Sequence, residues 1–348
     1  MKRLLAIFLP VVAAFIFSAT AGYGAESLTG AGATFPYPLY DKWFSIYHQV
    51  TGVKVNYQAI GSGGGIRQLL SRVVDFGGTD AFMSDEELSK APGEILHIPT
   101  CLGAVAITYN IPGNPELKLT GDVIADIFLG KITRWNDSRI TELNPGIELP
   151  DMKIIVVHRS DGSGTTFIFS DYLSKVSPEW KEKVGRGKSL NWPAGLGAKG
   201  NAGVAGMVKQ MAGSIGYVEL IYAEQNKMPV ALVKNRAGNF IKPSLASVSA
   251  AANVELPPDT RVSITDTESP EGYPISSFTW IIFYKEQSYD NRSRERAEAL
   301  AKLLWWMIHE GQKYNESLLY AKLPPKAVEK AEAIIKTMTY NGAPLVNW

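Results

Sequence analysis

Arg159, Ser160, Asp161, Gly162, Ser163, Gly164, Thr165 and Thr166 put a permanent cation, several hydroxyls and a pliable backbone into one short stretch. That mixture suits an oxyanion. A guanidinium offers a rigid planar fork to a tetrahedral anion. A Gly/Ser/Thr turn that opens a helix aims N–H groups with no intrahelical partner at one point, where the helix dipole is positive. Asp161 reads two ways, as a cap for the helix or as the group that orients Arg159. Ser62, Ser163, Thr165 and Thr34 read as N-caps or as anion donors; the roles are compatible, because both use the same orphan N–H groups.

These residues need elements to position them. The apolar run 154–157 reads as a strand leading into the Arg159 turn, and Phe167, Phe169, Tyr172 and Leu173 continue as a helix. Residues 53–59 alternate like a strand, run into Gly61-Ser62-Gly63-Gly64-Gly65, and resume at Ile66, Leu69, Leu70 and Val73 with helical spacing. Near the start, Gly30-Ala31-Gly32-Ala33-Thr34-Phe35-Pro36 precedes Tyr40, Trp43 and Tyr47. Three glycine- and hydroxyl-rich helix entrances suggest one wrapped anion. A strand-like run over 73–80 ends in Asp80, and ligands of open α/β sheets gather at the strands' carboxyl ends. Ser84 and Glu87 form a capping-box pattern. Two long apolar runs, 98–109 and 276–284, read as crossings between domains. The 195–200 segment fits G-x-G-x-x-G formally, but no strand precedes it and Trp192-Pro193 breaks the lead-in, which speaks against a nucleotide site. Helical faces follow at Val123, Ile124, Ile127 and Phe128, at Leu300, Leu303, Leu304, Met307 and Ile308, and from about Pro325.

The chain has 348 residues, a formal net charge of +1 and one cysteine. Its length suits two α/β domains. Met1-Lys2-Arg3, an apolar run to Phe17 and small residues after it predict a secretory signal peptide over 1–25, cleaved after Ala21 to Ala25, with no cysteine nearby for a lipid anchor. Removing Lys2 and Arg3 takes the charge from +1 to −1, which excludes the basic footprint of a nucleic-acid binder. Cys101 lies in an apolar run and reads as a buried small hydrophobe. No catalytic apparatus is legible. His48, His97, His158 and His309 lack metal-ligand spacing, neither G-x-S-x-G nor a P-loop is present, and His158 faces away from its neighbour Arg159. A carboxylate at Asp80 repels an anion unless the anion brings a proton to share. Phosphate does so near neutral pH; sulfate does not.

At these residues the chain resembles the phosphate-binding proteins of bacterial phosphate-specific ABC importers. The resemblance rests on the 28–36 string, Gly61-Ser62-Gly63-Gly64-Gly65, Val74-Asp75-Phe76-Gly77, the 159–165 string and Gly216-Tyr217-Val218. It implies a two-lobed periplasmic binding protein of the type II α/β fold, with two lobes joined by two crossover strands. Lobe one would be 26–100 plus 280–348, and lobe two 101–279. The implied phosphate contacts are Thr34, Phe35 through its backbone, Ser62, Asp80, Arg159, Ser163, Gly164 and Thr165, with Asp161 pairing to Arg159. Gly63 stands where relatives often carry a second serine. The implied role is non-enzymatic: a monomer, without metal or cofactor, binds inorganic phosphate in the periplasm and delivers it to the permease and ATPase of an ABC importer. Two readings from other classes stay open, a secreted hydrolase of phosphate esters and a carrier of a fully ionised oxyanion such as sulfate or molybdate.

Overall fold

The computed structural model describes residues 27–346, so the expected signal peptide over 1–25 lies outside the described residues. Of the thirteen strands among the described residues, the first eleven in chain order are β1 (Ser27–Gly32), β2 (Lys54–Ala59), β3 (Phe76–Thr79), β4 (Ile95–Tyr109), β5 (Lys118–Leu119), β6 (Ile155–Arg159), β7 (Leu196–Ala198), β8 (Ser214–Glu219), β9 (Leu232–Lys234), β10 (Phe240–Ile241) and β11 (Ser276–Tyr284). Eight of them form one curled sheet in the order β2-β1-β3-β11-β4-β8-β6-β7. The fold is α/β with two lobes, one built on β1–β3 and the other on β6–β8.

The long apolar runs join the lobes. β4 pairs antiparallel with β11 from Ile95 to Ala104, and from Val105 to Tyr109 it pairs with β8 instead. All residues of β11 and nearly all of β4 are buried. Strands covered on both faces lose the polar alternation of a one-sided sheet, hence their unbroken hydrophobicity. Cys101 sits in β4, fully buried, as its apolar setting predicted.

Each glycine-rich entrance opens a helix. Tyr37–Thr51 buries Leu39, Tyr40, Trp43, Phe44 and Tyr47 on one face. Ser62–Leu70 follows β2, and Gly164–Val176 follows β6 with Ser163 as its N-cap, accepting from the Thr166 N–H at 3.0 Å. The Ser84 capping box forms as read. The helices Gly121–Phe128 and Arg294–Ile308 bury the faces that their spacing marked, and a terminal helix runs over Pro325–Lys336. Two details differ from the sequence reading. β3 begins at Phe76 and not at Val73, because the Val73 N–H closes the preceding helix onto the Gln68 carbonyl, 2.9 Å away. A short strand, β7, runs through the 195–200 glycine segment, pairing parallel with β6 before the helix Gly200–Gln210.

Candidate anion-binding site

β6 delivers Arg159 to the sheet's carboxyl edge, 3% exposed. Asp161 grips it with both oxygens, Nε–Oδ1 at 2.7 Å and Nη2–Oδ2 at 2.5 Å, while Nη1 donates to Thr165 Oγ1 at 3.3 Å. Asp161 therefore orients Arg159, and the capping role falls to Ser163. Burial pushes the Asp161 carboxyl up, but the Arg159 contacts outweigh it and hold the group below its ordinary value. His158 turns the other way and stacks on Trp192 with ring centroids 4.6 Å apart.

Gly164 and Thr165 occupy the first two positions of their helix, where N–H groups have no carbonyl to meet. Ser163 Oγ accepts from the helix, so its hydroxyl proton is left to donate. Facing this turn across the cleft are Ser62, at the start of its own helix, and Asp80, just past β3. The Asp80 N–H donates to Ser62 Oγ at 3.2 Å, and Thr279 Oγ1 donates to Asp80 Oδ1 at 2.8 Å. The lobes meet so closely that a Cβ on Gly164 would lie 2.4 Å from both Asp80 Oδ2 and Ser62 Oγ. The Gly63 N–H crosses the cleft to the Gly162 carbonyl at 2.9 Å. The lobes are closed on one another here.

Burial dominates Asp80, which is 1% exposed, and pushes its carboxyl up to about 7, against the pull of Thr279, Arg159 and Ser62. This carboxyl changes charge near neutrality. Glu219, at the end of β8, is also fully buried, and desolvation holds it well above the usual carboxylate range. One of its oxygens accepts from the Ile221 N–H at 2.7 Å.

Thr34 and Phe35 approach from the β1 side. Tyr222 Oη donates to the Thr34 carbonyl at 2.5 Å, and Tyr320 Oη donates to the Phe35 carbonyl at 2.6 Å. The peptide between these residues is trans, so pinning the Thr34 carbonyl turns the Phe35 N–H to the opposite side. All the residues singled out in the sequence thus gather at one cleft: Thr34, Phe35, Ser62 and Asp80 on one side, and Arg159, Asp161, Ser163, Gly164 and Thr165 on the other.

Sequence reading missed Asn201, in the first turn of Gly200–Gln210. It donates to Thr34 Oγ1 and Thr165 Oγ1, at 2.8 and 3.0 Å. The same helix entrance gives the Gly200 N–H to Asp161 Oδ1 at 3.1 Å. Glycines at 195, 197 and 200 announced a turn there, but no periodicity marks a single asparagine as a bridge.

Residues 18–310 match the PBP superfamily domain. The chain is 46% identical over 318 residues to the phosphate-binding protein PstS of Pasteurella multocida, covering 90% of this chain and 91% of that one. It is also 46% identical over 313 residues to the PstS of Xylella fastidiosa, covering 88% and 84%. In structure it is similar to the phosphate-binding protein of Stenotrophomonas maltophilia, with a TM-score of 0.67 at 19% identity, covering 89% of this chain and 94% of that one.

Proposed function

The chain belongs to the PstS phosphate-binding proteins of the PBP superfamily, and from that premise we propose that it binds inorganic phosphate in the cleft between its lobes and hands it to an ABC importer. The family is one of non-enzymatic transport proteins. The observation that carries the reading is the cleft itself. Arg159, the Gly164–Val176 helix entrance and hydroxyls from both sides surround a carboxyl whose proton affinity sits near neutrality.

The contacts are Thr34, the Phe35 N–H, Ser62 and Asp80 from one lobe, and Arg159, Ser163, Gly164 and Thr165 from the other. The lobes divide as 26–100 with 280–348, and 101–279. The change of β4's partner between Ala104 and Val105 supports a crossing in that region. A ligand held from both lobes binds the closed form better than the open one and so shifts the population toward closure. The protein works as a periplasmic monomer released by cleavage of its signal peptide, without a lipid anchor. Its partners are the permease subunits and their ATPase.

Isothermal titration of the phosphate-stripped protein against phosphate, sulfate and arsenate tests this reading. Tight single-site binding of phosphate with no heat from sulfate is expected. Equal binding of sulfate, or no binding of phosphate, overturns it. Turnover of a chromogenic phosphate ester would return the hydrolase reading to consideration.

A further inference from the structure

Asn201 is fully buried. Its Oδ1 accepts from the Glu219 backbone N–H at 2.9 Å. A backbone N–H can only donate, which fixes the orientation of the amide. Nδ2 must then face Thr34 and Thr165, and its two protons serve the two hydroxyls. The Asn201 N–H adds a second bond to Thr34 Oγ1, at 3.2 Å. Thr165 Oγ1 already accepts from Arg159 Nη1 at 3.3 Å.

Both threonine hydroxyls are therefore accepting from two donors that have no lone pair to offer in return. A hydroxyl has two acceptor sites and one proton. With both acceptor sites filled, all that it can present elsewhere is its O–H. We propose that Asn201 is a positioning residue that sets the polarity of the Thr34 and Thr165 hydroxyls, so that both lobes turn protons and not lone pairs toward the anion. This inference rests on the phosphate-binding reading. The mechanism costs the site no charge, which suits a near-neutral chain that must hold an anion with local donors. It also links the lobes directly, since one amide reaches Thr34 on the β1 side and Thr165 on the β6 side.

Three variants test it by isothermal titration with inorganic phosphate. Asn201→Ala frees both hydroxyls to rotate, and the dissociation constant should rise about tenfold to a hundredfold, as for weakened hydrogen bonds to a charged group. In a Thr34→Val/Thr165→Val background no hydroxyl remains to orient, so the same change should cost less than about threefold. Asn201→Asp keeps the shape and the Glu219 contact but offers the hydroxyls an acceptor, and it should bind more weakly than Asn201→Ala. A packing role would reverse that order.

The Asn201→Asp to wild-type ratio of dissociation constants should narrow as the pH falls, because a protonated carboxyl can donate again. The other titratable or charged groups around position 201 are Arg159 and Asp161 after β6, Glu219 ending β8, Asp80 across the cleft, and Asp41 and Lys199 at its mouth. They are common to both proteins, so the ratio removes their independent titration and leaves only their coupling to the new carboxyl. An unchanged constant for Asn201→Ala, or an equal loss in the valine background, overturns the inference while leaving phosphate binding intact. Failure of the wild type to bind phosphate would instead overturn the reading beneath it.

Discussion

At the scale of single residues, the cleft sets one permanent cation against one switchable carboxyl. Removing the cation in Arg159→Ala loses a charge-assisted contact of about 1.5–3 kcal/mol, roughly tenfold to a hundredfold in phosphate affinity by titration. It also leaves the partly buried Asp161 carboxylate without its cation, so the thermal midpoint should fall. Arg159→Ala/Asp161→Asn should recover the midpoint but not the affinity, which separates the two roles of the pair. Asp80 acts in the other direction. An ordinary aspartate titrates near ~4, and burial moves this one to about 7. Between those values the folded protein holds more protons than the unfolded chain, so this group's contribution to stability falls as the pH rises through that window. Asp80→Asn should therefore melt higher than wild type at pH 8 and alike at pH 4, in phosphate-free scans. The amide also replaces an acceptor with a donor, so sulfate should begin to compete with phosphate for the variant. Equal exclusion of sulfate by both proteins would place selectivity elsewhere.

At the scale of elements, glycine 164 makes closure possible. The space that its missing side chain leaves is filled by Asp80 and Ser62 from the facing lobe. Gly164→Ala should fold normally, because the clash exists only when the lobes meet. Overpacking costs about 1–3 kcal/mol, roughly tenfold to a hundredfold in affinity, with little change in the phosphate-free melting temperature. A variant that binds as tightly as wild type would mean that the lobes can shift to accept a methyl group. Elements were also where sequence reading worked best. Gly/Ser/Thr turns at helix entrances are local chemistry, written in consecutive residues, so the 34–35, 61–65 and 159–165 segments could be found without any knowledge of their neighbours. Tyr222, Tyr320 and Asn201 could not. Each reaches a partner 167 to 285 residues away in sequence, and nothing in a local pattern tells a tyrosine that buries its ring from one that also pins a distant carbonyl. The 195–200 glycines fail the pattern of a nucleotide loop, which needs a strand before them; β7 lies within them.

At the scale of the whole molecule, only β4 and β11 were legible as crossings, through their unbroken apolar runs. The point where β4 changes partner was not, since Ala104 and Val105 look alike to hydropathy. One residue on this crossing has a practical consequence. Cys101 is the sole thiol of the chain, fully buried in β4, and desolvation raises its thiol above the ordinary range, with Asp80 and Glu219 adding to the effect. A reagent can reach it only when the packing around the crossing yields, so its labelling rate is a clock for that opening. The protein thus carries its own reporter, with no engineered label needed. Saturating phosphate should slow modification by a neutral disulfide reagent in proportion to the closed population, and Gly164→Ala should lose most of that protection. A labelling rate indifferent to phosphate would show that the crossing breathes independently of the cleft, and that opening of the lobes is hinged at some other part of the chain.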